Sequence, residues 1–222
     1  MRLHAGSIQK RLTRYILIIV ILAVLFSLPL WGSKYTIMLV MLMGMYITLG
    51  HMWNLLAGYS GLISLGQQMY IGLGGYTLAV VSNNLGVPLP VGLIMGGLVS
   101  VVFAVGLSYL LLRMKGMYFA IATWMFAEAM LLVVVTVSFM GKGQGFFIIA
   151  ARKLVTSQLY YFSITMAVVA TVAVVILLRS KLGLGLFAIR DNDSASATSG
   201  VPQFRSKLYC MIISSFITGV CG

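Results

Sequence analysis

Acidic residues are almost missing from this chain. Three Asp+Glu stand against 15 Lys+Arg, and charged residues of both signs make up only 8% of the 222 residues. An ordinary soluble domain is nearer a quarter charged. Hydrophobic residues reach 61%, and a fold of this size exposes too much of its surface to hide such a surplus. A soluble enzyme and a disordered regulator are both excluded. Cysteine is scarce as well. Cys210 and Cys221 lie in the last apolar run with no CxxC or Cys/His spacing, which excludes a disulfide-rich secreted domain. Both read as small apolar packing residues. There is no H-E-x-x-H metal motif and no GxxxxGK[ST] phosphate loop, so no metal or nucleotide cofactor is expected on this chain.

What the chain does have is a series of long apolar runs. A helix needs about 20 apolar residues to cross the hydrocarbon of a bilayer. Candidate spans run over 15–31, 35–57, 62–82, 89–112, 117–139 and 159–178, with a seventh from about Lys207 to Gly222. The expected fold is therefore an all-α polytopic membrane protein with about seven transmembrane helices, preceded by a basic N-terminus over 1–14. The first run resembles a signal peptide, but Pro29-Leu30-Trp31 follows it in place of a small-x-small cleavage site. It reads as a retained helix. From Leu208 to Gly222 the last run gives about 22 Å of helix, short of a membrane core of roughly 30 Å. The expectation is a truncated last span in the N-terminal part of a longer protein.

The basic residues lie between the apolar runs, where they set topology rather than bind nucleic acid. With a cytoplasmic N-terminus and every run crossing, eleven Lys and Arg fall inside and four outside. If 62–82 only dips into the bilayer, the count becomes seven inside against eight outside. The positive-inside rule favours the full crossing, and a broken or irregular one satisfies the same count.

Polar features inside the apolar runs are few. Asn54-Leu-Leu-Ala-Gly-Tyr-Ser-Gly61 is followed by a glycine-rich stretch containing Gln67, Gln68, Tyr70, Gly72 and Gly74. Two readings stand. Glycines allow close helix packing, and they also permit the unwound crossings on which transporters build substrate sites. Glu128 is the sole acid inside a span, where a charge usually has a partner and a purpose. It either lines a pathway or bonds a neighbouring helix. His51 reads as a packed neutral histidine. Gly58-Tyr-Ser-Gly61 matches the GxSG of intramembrane serine proteases, but that chemistry needs a histidine facing Ser60. Only His4 and His51 are present, both upstream. Gly92, Gly96 and Gly97 place small residues on one helical face, a packing signal. In the cytoplasmic segment 179–207, Leu182, Leu186 and Ile189 recur at helical spacing. Asp191 or Asp193 is positioned to cap a second short helix ending near Gly200. The amphipathic helix either lies on the membrane or docks into a partner's groove.

Three blocks carry a family resemblance. They are Asn54-Leu-Leu-Ala-Gly-Tyr-Ser-Gly-Leu-Ile-Ser-Leu-Gly-Gln with Gly72-Leu-Gly-Gly-Tyr-Thr77; Leu112-Arg-Met-Lys-Gly-Met-Tyr-Phe-Ala-Ile-Ala-Thr123 with Phe126-Ala-Glu128; and Ser180-Lys-Leu-Gly-Leu-Gly-Leu-Phe-Ala-Ile-Arg-Asp-Asn-Asp193 with Gly200-Val201. In order and spacing they resemble the transmembrane permease subunits of bacterial ABC importers for branched-chain amino acids, the M-type in particular. Urea and short-chain amide permeases are relatives. The resemblance implies a single permease domain over 15–222 in the bacterial cytoplasmic membrane, with a coupling loop at 179–207. It also implies a sister permease, two cytoplasmic ABC ATPase subunits that hydrolyse the ATP, and an extracellular or periplasmic substrate-binding protein. The substrate pathway would draw on Asn54, Gln67, Gln68, Tyr70, Gly72, Gly74 and Glu128. The coupling helix would draw on Gly183, Gly185, Ala188, Arg190 and Asp191. The run Ser194–Ser199 departs from the alanine- and glutamate-rich run that the family carries there. A self-sufficient channel or facilitator is the reading from another class.

Overall fold

A computed structural model of the chain describes residues 16, 22–136, 155–198 and 200–222. The basic N-terminus 1–14, the start of the first expected span and the end of the fifth at Phe139 lie outside these residues. The regular structure of the described residues is all helix, with no strand. Helix α1 covers Leu22–Trp31. Then come α2 (Lys34–Asn54), α3 (Gln67–Leu85), α4 (Leu89–Leu111), α5 (Met117–Thr136), α6 (Thr156–Arg179), α7 (Lys181–Asp191), α8 (Asp193–Thr198) and α9 (Gln203–Cys221). Among the described residues, four helical stretches are long and apolar enough to cross a membrane: Lys34–Tyr59, Leu89–Leu111, Met117–Thr136 and Thr156–Arg179.

The helices begin and end where local chemistry directs. Ser33 caps α2, its hydroxyl accepting from Thr36 N–H at 3.2 Å. Helix α3 stops at Gly86, whose φ of +62° is open to glycine without strain. Pro88 and Pro90 open α4, where a missing N–H costs nothing. Helix α9 starts directly after Pro202, four residues before the expected Lys207. Its 19 residues give about 28 Å of helix rather than 22 Å.

The irregular stretch coincides with the Asn54–Gly61 interruption and only the start of the expected 62–82 run. The glycine-rich stretch around Gly72 and Gly74 is regular helix within α3. The break comes before it. Helix α2 widens into one π-helical turn over Leu55–Tyr59, and residues 60–66 are not helical. Leu62 N–H closes the wide turn on the Leu56 carbonyl at 2.9 Å.

Helices α3, α4 and α9 pack backbone against backbone. A Cβ on Gly74 would run into the carbonyl of Gly219, and one on Gly96 would lie 2.9 Å from the carbonyl of Gly74. Ser100 fills the junction, its hydroxyl 2.9 Å from the Gly96 carbonyl and 3.3 Å from that of Tyr70. Gly92, Gly96 and Gly97 are all buried on α4, as the small-residue spacing anticipates. Helix α6 grips α1 and α2 through hydroxyls. Tyr160 donates to the Leu25 carbonyl at 2.7 Å, and Ser163 to that of Met41 at 2.6 Å. In lipid, close small-residue contacts and interhelical hydrogen bonds take over much of the part that hydrophobic collapse plays in water.

Candidate transport cavity and coupling segment

The stripe Gln68, Gly72, Tyr76 repeats every four residues along α3 and so shares one face. That face borders a cavity of about 550 Å³ between α3, α4 and α5. Glu128 and Ala127 of α5 line the far side, with Phe103 of α4. The wall is mostly apolar, and the polar groups on it are Gln68, Tyr76, Thr77 and Glu128. Glu128 is exposed, and Trp124 one turn earlier donates its indole N–H to the carboxylate at 3.2 Å. Of the residues the sequence nominated for a pathway, Gln68, Gly72 and Glu128 meet here. Tyr76, Thr77 and Phe103 were missed.

The remaining nominees lie elsewhere. Gln67 points to the other side of α3, donating to Ser214 Oγ of α9 at 3.4 Å. Tyr70 is buried at the foot of a narrow cleft shared with Ser64 and Thr123. Gly74 belongs to the α3–α4–α9 seam. Asn54 ends α2, its side-chain oxygen lying where a Cβ on Gly58 would fall. Ser60 is buried and donates to the Leu56 carbonyl at 2.7 Å. His51 is half-buried on α2, more than two turns back.

The segment 179–207 is sorted just as plainly by its contacts. Helix α7 turns off α6 at Ser180, and Gly183 is needed at the corner because a Cβ there would strike the Leu178 carbonyl. Gly183, Leu186 and Ile189 face inward. Gly185 packs near Val201, 3.3 Å from where a Cβ would sit. Leu184, Ala188 and Asp191 are exposed at spacings of four and three, a single outward stripe. Arg190 turns toward the bundle. Its Nη1 donates to the Gly58 carbonyl at 3.0 Å, and its Nη2 lies 3.4 Å from Asp191 Oδ1.

Asp193 opens α8 and binds two lysines that sequence reading overlooked. Its carboxylate lies 3.0 Å from Lys115 Nζ in the α4–α5 turn and 3.1 Å from Lys207 Nζ of α9. Burial pushes its pKa up, but the hydrogen bonds and charges of Lys115 and Lys207 outweigh burial and leave it below the usual carboxylate value. Gln203 of α9 also donates to the Asp193 carbonyl and to Ser196 Oγ. No group of three or more metal-ligating side chains occurs among the described residues.

The family model for the branched-chain amino acid transport system permease component matches residues 35–222, which takes in every helix from α2 onward except the first residue of α2. The chain belongs to this permease family. Among curated proteins it is similar to the high-affinity branched-chain amino acid transport system permease protein LivM of Salmonella typhimurium strain LT2 and to that of Escherichia coli strain K12. Each is 24% identical over 250 residues, covering 99% of this chain. The chain spans 58% of the length of these relatives. No solved structure matches it. Family membership places both the cavity and α7 within the matched region.

Proposed function

We propose that this chain is a multi-pass permease subunit of an ATP-driven importer in the bacterial inner membrane, passing branched-chain amino acids. The family match over 35–222 carries the reading. The N-terminus is cytoplasmic, α3 and α9 also cross, and the turn at 55–66 interrupts the path of the chain at membrane depth. A sister permease completes the pore, a binding protein delivers substrate, and two ATPase subunits on separate chains supply the energy. The cavity suits an amino acid with an apolar side chain. The Glu128 carboxylate complements an ammonium group, Gln68, Tyr76 and Thr77 offer hydrogen bonds, and the apolar wall takes the branched tail. Such sites are typically apolar with a few placed polar groups. Helix α7 is the coupling helix, presenting Leu184, Ala188 and Asp191 to an ATPase groove.

The test is purification of the tagged protein in mild detergent from its own membrane, followed by reconstitution. A second permease and ATPase chains should co-purify, and labelled leucine should accumulate only with ATP. Downhill leucine flux through this chain alone, without ATPases, would establish a channel instead. Leu184→Asp, on the outward stripe of α7, should strip the ATPases from the complex. A variant complex that keeps them at wild-type stoichiometry removes α7 from the docking surface.

A further inference from the structure

Among the family-motif residues of α7, Arg190 is set apart because its side chain faces back into its own chain. It donates to the Gly58 carbonyl, inside the one π-helical turn of the molecule's described residues. A carbonyl in such a turn has lost its regular helical partner geometry, and a guanidinium satisfies it with a charge-assisted bond. The contact is reinforced. The Phe187 ring meets Tyr59 edge-on, with centroids 5.9 Å apart. Gly61, at φ +70°, lets the chain leave the turn so closely that a Cβ there would lie 3.7 Å from Arg190 Cγ.

From this turn the contacts run on to the cavity without a gap. Trp53 Nε1 holds the Ser64 carbonyl at 3.0 Å. Leu65 N–H donates to Thr123 Oγ1 of α5 at 3.1 Å. A Cβ on Gly66 would lie 2.6 Å from the Thr123 carbonyl, so no slack exists between segment 60–66 and α5. Thr123 stands one helical turn before Ala127 and Glu128, which line the cavity. A packed chain of this kind passes displacement because its members repack in discrete steps rather than stretch.

We propose that Arg190 is a positioning residue that latches α7 to the turn at Gly58, so that movement of α7 reaches Thr123 and the α5 wall of the cavity through segment 60–66. This rests on the reading that α7 meets the ATPases, but it assigns the half-exposed Arg190 to a contact within the permease's own chain rather than to that interface.

The experiment uses the assembled transporter in proteoliposomes. Arg190→Gln should keep ATPase subunits bound and ATP hydrolysis running while leucine uptake falls about tenfold, within the usual size of a coupling between sites. Arg190→Lys, which keeps one charged donor, should recover part of the uptake. An unchanged ratio of uptake to hydrolysis in Arg190→Gln overturns the latch. So does loss of the ATPases from the complex, which would make Arg190 a docking residue and leave the Leu184→Asp result to decide the role of α7 separately. If Arg190→Gln fails to insert, a second variant decides. Tyr59→Cys with Phe187→Cys, in a chain with Cys210 and Cys221 changed to alanine, is joined by a short bifunctional thiol reagent. A latch that moves as one body keeps its uptake when linked. Abolished uptake on linking, relative to the same unlinked variant, overturns it.

Discussion

Two neighbouring regions of this bundle are built on opposite terms. Where α3 meets α4 and α9, backbone touches backbone, and Gly74, Gly96 and Gly219 leave no room for a methyl group. Where α3 faces α5 and α4, an opening of about 550 Å³ lies among the helices and an acid stands exposed on the wall. One helix, α3, makes both contacts. It anchors firmly on one face and borders empty space on the other. The division suits the proposed transport role, because a wall can only move if the part it moves against stays still. The two helices still share an apolar core through Met69, Leu73, Phe119 and Ala127, and segment 60–66 adds a hydrogen bond to Thr123 in the N-terminal half of α5.

The largest test of this contrast lies two residues apart on α3. Gly74→Leu would force a side chain into the Gly219 backbone, where overpacking costs about 1–3 kcal/mol or more because no flexible side chain can yield. The variant should lose much of its melting temperature in detergent or fail to accumulate. A Cβ on Gly72 meets nothing within 4 Å, so Gly72→Leu starts its side chain in open space. Its melting temperature should match wild type or rise slightly, since leucine favours helix over glycine by about 0.5–1 kcal/mol. It would fill the cavity, so uptake in the assembled transporter should drop while the protein stays folded. Equal melting of the two variants would dissolve the distinction between seam and cavity.

Much of this was legible in the sequence, and the misses have physical causes. Apolar runs located α2, α4, α5 and α6 to within a few residues, because lipid demands length and apolarity over any other property. The small-residue spacing at Gly92, Gly96 and Gly97 foretold burial. The position of the break was legible only in part. Glycine serves both close packing and unwinding, so Asn54–Gly61 and the stretch holding Gly72 and Gly74 read alike, and only the first holds the π-turn. The Gln68–Gly72–Tyr76 stripe stands out only once α3 is known to be regular from Gln67. The Asp193 contacts were out of reach for another reason. Lys115 and Lys207 are distant in sequence from each other and from Asp193, and no local pattern marks a tertiary ion pair. The reach of the exposed Arg190 back to Gly58 needed the path of the π-turn as well.

A smaller effect sharpens the link between the two regions. Thr123→Val keeps the shape of the side chain but removes the acceptor for Leu65 N–H. Leaving a part-buried donor unpaired costs about 1–3 kcal/mol. Hydrogen exchange at Leu65 should quicken, and uptake should fall relative to ATP hydrolysis, while the seam-dominated melting temperature moves only slightly. Thr123→Ser, which restores the hydroxyl, should recover protection at Leu65. Unchanged exchange at Leu65 in Thr123→Val would show that segment 60–66 is held to α5 by packing alone.

The smallest effect concerns the ion pairs outside the bundle, where the contrast is one of exposure. Asp193 is bound by Lys207, whose side chain is 14% exposed, and by Lys115, which is 82% exposed. The more exposed pair is screened by water and salt and is worth little, about 0–1 kcal/mol at most. Lys207→Met should therefore loosen α8 more than Lys115→Met, as read by hydrogen exchange across α8, and added salt should erase the Lys115 effect first. The pH dependence follows from the lowered carboxyl pKa of Asp193. A depressed pKa contributes stability that is fully present above the unfolded value of about 3.9 and disappears as pH falls through the folded value. Protection of α8 should thus stay level across neutral pH and decline only in acid. Asp193→Asn should remove that acid step. If the step survives in Asp193→Asn, the acid sensitivity of α8 arises elsewhere, and the hydrogen bonds from Gln203 to the Asp193 carbonyl and Ser196 hold the segment without help from charge.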